Sequence, residues 1–231
     1  MPWATIASIH RMKDPHVIAR KVVPSAAALG RVARAEGSAS ASAPSARAKA
    51  GGSGTRVLGI DPGTLRLGYG VVEHAGPGRL TYVECGVISA PATKSRVDRL
   101  GVIGEGLAEL IAELKPHVVA IEEAFFGKNI QSTLALGEAR GVSIFVASQA
   151  GLPIAGYAPA KVKNTVVGHG RATKEQIAYV VRALLSLRRA PEPDAADALA
   201  IAVCHARSFD FARRAKQPVA AVKPTKQRRT P

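Results

Sequence analysis

Aromatic residues are scarce in this chain: one Trp, four Tyr and five Phe among 231 residues. Cysteine is scarcer still. Cys85 and Cys204 cannot build a disulfide framework, and neither belongs to a C-x-x-C pair, so a reducing compartment such as the cytoplasm fits best. No apolar run is long enough to span a bilayer, which excludes a helical membrane protein. The first residues lack the compact charged, apolar and cleavage regions of a signal peptide. Acids are under-represented as well, with 17 Asp and Glu against 32 Lys and Arg and a net charge of +15. That imbalance points to an anionic partner, most simply nucleic acid.

The positive charge is not spread evenly. Residues 1–54 carry eight Lys/Arg and two acids, and residues 207–231 carry eight and one. Residues 55–206 are nearly balanced, with sixteen Lys/Arg against fourteen acids. The tails therefore supply most of the charge. Within the first of them, "AEGSASASAPSARAKAGGSG" is Ser/Ala/Gly-rich without apolar period. We expect three regions: a disordered, low-complexity basic extension over 1–54, a folded domain over 55–207, and a disordered basic tail over 208–231. An Arg- and Ser-rich leader is a trait of transit peptides, but a dispensable extension, or a start codon placed too early, is the simpler expectation.

Order is expected to begin at Arg56. "RVLGID" reads as a strand buried on both faces, ended by Pro62-Gly63. "LGYGVVEH" and "RLTYVECGVIS" follow around the turn signal "AGPG", giving an antiparallel meander of three strands. Leu100, Ile103, Leu107, Leu110, Ile111 and Leu114 form one helical stripe, which Lys115-Pro116 stops. "HVVAIEE" is a fourth strand, residues 130–150 a helix, "LPIAGYAP" a fifth strand, and three helical stretches close the domain. The order βββαβα and onward implies an α/β domain with a mixed five-stranded central sheet flanked by helices.

Carboxylates stand at the ends of these apolar elements. Asp61 ends the first strand, where a turn-forming Asp before Pro-Gly is the ordinary explanation. Glu122 and Glu123 end the fourth strand, and alternation sends them to opposite faces without saying which faces the core. Asp194 and Asp197 open the last helix, about 60° apart around its axis. Capping explains them too, with Asp194 as N-cap and Asp197 three residues on. Converging together without Lys or Arg partners, however, these acids would repel one another, and divalent cations resolve that repulsion. Oxygen donors with no His or Cys cluster favour Mg²⁺ or Mn²⁺. Two such ions about 3.5–4 Å apart can clamp a scissile phosphodiester.

At these residues the sequence resembles the RuvC family of bacterial crossover junction endodeoxyribonucleases, the Holliday junction resolvases. The matching segments are "VLGIDPGTLRLGYGVVE", "VAIEEAFFGKNIQSTLALGEARG", "AGYAPAKVKNTVVGHGRATKEQI" and "DAADALAIAVCHA", in the family's order over roughly residues 56–206. The resemblance implies an RNase H-like fold and a cytoplasmic homodimer that cuts opposing strands of a four-way DNA junction. It implies catalytic, metal-holding acids at Asp61, Glu122, Asp194 and Asp197, choosing Glu122 over Glu123, with Mg²⁺ as the metal and Mn²⁺ as substitute. It implies DNA contacts at Phe125, Lys163 and Lys174, and work alongside the RuvA–RuvB branch-migration complex. An exposed Phe125 can stack on an unpaired base, and a Lys near the scissile phosphate can stabilise developing charge. His169 could touch phosphate, though a bland loop His is the simpler reading. Gly137, Ala139 and Gly141 would let another backbone approach helix 130–150, which is compatible with the dimer that the resemblance implies. The alternatives are an RNase H-like nuclease of the YqgF type acting on structured RNA and a junction-binding protein without catalysis. An actin-like ATPase is disfavoured, because the chain is too short for a duplicated domain.

Overall fold

The computed structural model describes residues 8–12, 21–22, 54–123 and 130–215. The elements in chain order are β1 (Ser8–Met12), β2 (Lys21–Val22), β3 (Thr55–Asp61), β4 (Arg66–His74), β5 (Leu80–Ser89), α1 (Arg96–Leu114), β6 (Val118–Glu122), α2 (Ile130–Gln149), β7 (Ile154–Tyr157), α3 (Pro159–Val167), α4 (Lys174–Leu184) and α5 (Pro193–Ala215). One sheet runs in the order β2-β1-β5-β4-β3-β6-β7. The meander β3–β4–β5 is antiparallel, while β6 and β7 join parallel to β3. No helix among the described residues is long and apolar enough to cross a membrane.

Alternation divides the sheet into two faces. Leu58, Ile60, Leu67, Tyr69, Val71, Ile88, Val119 and Ile121 point to one face, where α1 and α2 cover them. Val57, Val72, Cys85, Val87 and Ala120 point to the other, against α3, α4 and α5. Helix α1 starts where the Ser95 hydroxyl accepts from the Asp98 amide at 3.1 Å, and it stops at Lys115 in the left-handed region before Pro116. Its buried stripe, from Ile103 to Leu114, is the one the sequence periodicity predicts.

The close approach of α5 to the sheet is what places the site. On the α5 face, β3 and β4 carry glycine where a side chain would block the helix. A Cβ at Gly59 would stand 2.1 Å from the Ala198 carbonyl oxygen, and one at Gly68 would stand 2.1 Å from that of Asp194. At Gly70 it would meet Leu199 at 2.7 Å. In each case the obstacle includes helix backbone, which cannot swing aside. Leu199 and Val203 are fully buried on this seam.

The structure departs from expectation at both ends. The five expected strands form, but the sheet has seven, because residues of the 1–54 extension add two. Ser8–Met12 pairs antiparallel along the outer edge of β5, from Ser8 opposite Ser89 to Met12 opposite Cys85. Lys21–Val22 pairs in turn with β1. The extension is therefore not wholly disordered, although SIHRM shows no apolar alternation. The physical reason is a buried charge. Arg11 sits opposite Gly86 of β5. Its Nε lies 3.5 Å from Glu84 Oε1, and its Nη1 donates to Glu113 of α1. Tyr69 also donates its hydroxyl to Glu84, at 2.8 Å. Arg11 and Glu84 are only 6% and 2% exposed. At the other end α5 continues to Ala215, inside the segment expected to be a disordered tail.

Two outcomes test this reading. Gly68→Ala should push the first turn of α5 outward, lowering the thermal midpoint and disrupting the acid cluster, seen as altered methyl and amide shifts around Asp194. Arg11→Ala should cost about 2–3 kcal/mol in chemical denaturation, because it removes the guanidinium that faces the buried Glu84 carboxylate. Adding Glu84→Gln should recover part of that loss.

Candidate active site

Four acids meet on the α5 side of the sheet. Asp61 is the last residue of β3 and shares the face of Val57 and Gly59. Its partner across the hairpin is Gly68, on which the first turn of α5 rests. Glu122 is the last residue of β6, which runs parallel to β3 with Ile121 opposite Ile60. Asp61 and Glu122 therefore stand side by side at the carboxyl ends of adjacent strands. The choice between the two glutamates follows from the faces: Ala120 belongs to the α5 side, and so does Glu122 two residues on. Glu123 goes the other way, its carboxylate lying over Gly156. Arg140 of α2 fixes the strand end by donating to the Glu122 carbonyl at 3.1 Å.

Asp194 and Asp197 come from the first turns of α5. The helix begins at Pro193, so Asp194 lies inside it and is not the N-cap. Its carboxylate is free of the cap and turns to a side chain: Arg66 Nε donates to Asp194 Oδ2 at 2.7 Å. Another Arg66 nitrogen donates to Glu192. Lys174 Nζ donates to Asp197 Oδ2 at 2.8 Å. The expectation of acids without basic partners is thus corrected, since each helix aspartate has a cation. Both cations sit where sequence distance hides them, on β4 and at the start of α4. Lys174 opens α4 immediately after Thr173, whose capping box with Gln176 fixes that helix start.

The strand acids bear the repulsion. Burial, then the charges of Glu122, Asp197 and Asp194, push the Asp61 carboxyl up to about 7, against a smaller opposing pull from Lys174. Burial and Asp197 likewise raise Glu122, with Lys174 and Lys163 opposing. Among the described residues no three His, Cys, Asp or Glu side chains are already drawn in to metal-holding distance. Arg66 and Lys174 hold the outer pair, Asp194 and Asp197. The donor chemistry nonetheless fits a hard divalent cation: carboxylate oxygens, with the most buried one left to protonation for its neutrality.

The other expected residues fall unevenly. Lys163, on α3, is half-buried and close enough to Glu122 to act on its charge. His169 is exposed in the loop between α3 and α4. Phe125 lies outside the described residues. Sequence reasoning missed Arg66, Glu192 and Arg140. Only Arg66 left a usable signal, being two residues from Gly68 on a strand and therefore on the same face.

The raised Asp61 gives a stability prediction. An unfolded Asp titrates near about 3.9, so the folded protein holds this proton more tightly than the unfolded chain. The resulting cost is absent below the unfolded value and complete above pH 7, at most about 4 kcal/mol. Chelator-treated protein should therefore gain thermal stability as pH falls from 8 towards 5. Asp61→Asn should flatten that dependence in melts followed by circular dichroism.

Comparison with known proteins meets this geometry. A family model described as crossover junction endodeoxyribonuclease RuvC matches residues 57–205. The crossover junction endodeoxyribonuclease RuvC of Halorhodospira halophila is 52% identical over 152 residues, covering 66% of this chain and 90% of that protein. That of Moorella thermoacetica is 48% identical over 163 residues, covering 70% and 96%. Among solved structures, Thermus thermophilus RuvC in complex with a Holliday junction substrate superposes with a TM-score of 0.65 at 36% identity, covering 68% of this chain and 96% of that one. A second T. thermophilus RuvC structure gives 0.61 at 36% identity, covering 70% and 97%. The matched span contains all four acids and both lysines and excludes β1 and β2. With a family model over most of the folded domain and relatives matched nearly end to end, the chain belongs to the RuvC family of crossover junction endodeoxyribonucleases.

Proposed function

We propose that this chain resolves four-way DNA junctions with an active site made of Asp61, Glu122, Asp194 and Asp197. The observation that supports the reading is that two strand ends and one helix start, remote in sequence, bring four carboxylates close enough for Glu122, Asp197 and Asp194 all to act on the buried Asp61 charge. Family membership makes the enzyme a divalent-metal-dependent nuclease. Two Mg²⁺ ions are the occupants we favour, with Mn²⁺ as substitute, held by the four acids. When bound, such ions supply an activated water and charge stabilisation at the leaving 3′-oxygen. The chain's own residues do the rest. Asp61 and Glu122 are fixed by the sheet, so they set the position of the centre. Asp194 and Asp197 reach it from α5. Lys174 and Lys163 supply positive charge at the side where a phosphate would enter. Phe125 follows Glu122 by three residues, and a base-stacking role there is retained as part of the proposal.

The assembly we favour is a cytoplasmic homodimer that places two such sites on opposing strands. Helix α2 supports it. Leu134, Gly137, Gly141 and Phe145 recur at one helical face, Leu134 and Phe145 are 55% and 63% exposed, and a Cβ at either glycine would meet nothing within 4 Å. An apolar stripe with space for a neighbouring backbone suits a copy of itself. Cooperation with the RuvA–RuvB complex rests on the resemblance.

The test is cleavage of a synthetic four-way junction with Mg²⁺ present or chelated. Asp194→Asn should lower the rate by about 10²-fold or more while junction binding persists, as measured by gel shift. Cleavage by a folded Asp194→Asn protein at the wild-type rate would sink the assignment. Cutting of structured RNA in preference to the junction would favour a YqgF-type activity.

A further inference from the structure

Arg66 has no role in the arrangement proposed so far. It is the first residue of β4, and alternation puts it on the α5 face with Gly68, next to the strand end that carries Asp61. From there one guanidinium bridges two acids: Nε donates to Asp194 Oδ2 at 2.7 Å, and Nη2 donates to Glu192 just outside α5. The Arg66 side chain is 47% exposed, Glu192 47% and Asp194 34%. The bridge therefore stands at the solvent rim of the cluster, with one end on a proposed metal ligand and the other on an acid outside the proposed ligand set.

Two physical constraints act on that bridge. A guanidinium and a divalent cation want the same carboxylate oxygen, and held together they repel each other. Exposed ion pairs are weak, so Arg66 is the partner that yields. Released from Asp194, the side chain is still drawn by Glu192 and stays at the rim. Its planar fork then matches the oxygens of a backbone phosphate.

We propose that Arg66 is a positioning residue that exchanges partners, holding Asp194 in the metal-free protein and giving it up for a junction phosphate when a divalent cation takes the carboxylate. The proposal rests on the reading of the four acids as metal ligands. It separates Arg66 from Lys174, whose ammonium pairs with Asp197 and with no acid outside the proposed ligand set among the described residues.

The exchange predicts two changes of opposite sign in the full-length protein. With Arg66→Ala, Mn²⁺ binding without DNA, followed by electron paramagnetic resonance, should tighten about 2- to 5-fold because a competing cation is gone. Junction binding should weaken, and the slope of log affinity against log salt should fall in magnitude by about 1. Arg66→Gln, uncharged and of similar reach, should behave alike if the Ala variant folds poorly. Arg66→Lys should keep the salt slope. A purely structural role would lower the thermal midpoint and move neither quantity in this pattern. Mn²⁺ affinity that is unchanged or weaker in both neutral variants overturns the proposal, and so does an unchanged salt slope. Asp194→Asn separates the two levels. If Mn²⁺ binding ignores Asp194, the metal-site reading itself fails. If it depends on Asp194 but not on Arg66, only the exchange fails.

Discussion

The acid-bearing end of this molecule depends on how closely α5 lies on β3 and β4. Gly59, Gly68 and Gly70 remove the side chains that would hold the helix off, so its backbone rests almost on strand backbone. Leu199 and Val203, both fully buried, then anchor the helix on the seam. This is an apolar contact with a polar result. Close-packed interiors do not deform continuously, so the tight seam sets where the first turn of α5 ends up. That turn carries two of the four acids, and the sheet beneath it carries the other two.

Such convergence works against stability. Four carboxylates at one place repel, and burial raises the cost. The fold relieves the strain in two ways. The outer acids, on the helix, are matched by Arg66 and Lys174, whose exposed side chains can move. Among the described residues the inner acids, on the strands, form no such ion pair, and their pKa values rise instead. The rigid half of the site is thus electrostatically strained and the adaptable half is neutralised. Unequal environments for chemically similar groups are a common mark of functional sites.

Much of this was legible in the sequence, and particular residues show where legibility stopped. The strands of the meander and α1 follow from apolar period, which is a local property. The acids could be found because each ends an apolar element where a charge is out of place. Glu122 could not be told from Glu123 by its strand alone. That choice needs the neighbouring strands, because only the shared face of Ala120 and Gly59 says where the helix lies. The cation partners were beyond reach for the same reason, with Arg66 and Asp194 separated by 128 positions. β1 was missed because its stabilisation lies outside it, in Glu84 and Glu113 and in the pairing groups of β5.

That last strand has a consequence for what counts as the unit of this protein. The family's span begins at residue 57, but the hydrogen-bonded sheet continues past it through Ser8–Met12. A strand at the border of a sheet offers unpaired amides and carbonyls to any extended chain, and proteins commonly cover or charge such borders to prevent indiscriminate association. Here the cover comes from outside the span that the family matches, and the β5 ladder, Arg11 and a hydrogen bond from Tyr82 to the Met12 carbonyl hold it. The span that the family matches and the limit of the protected sheet are therefore not the same line.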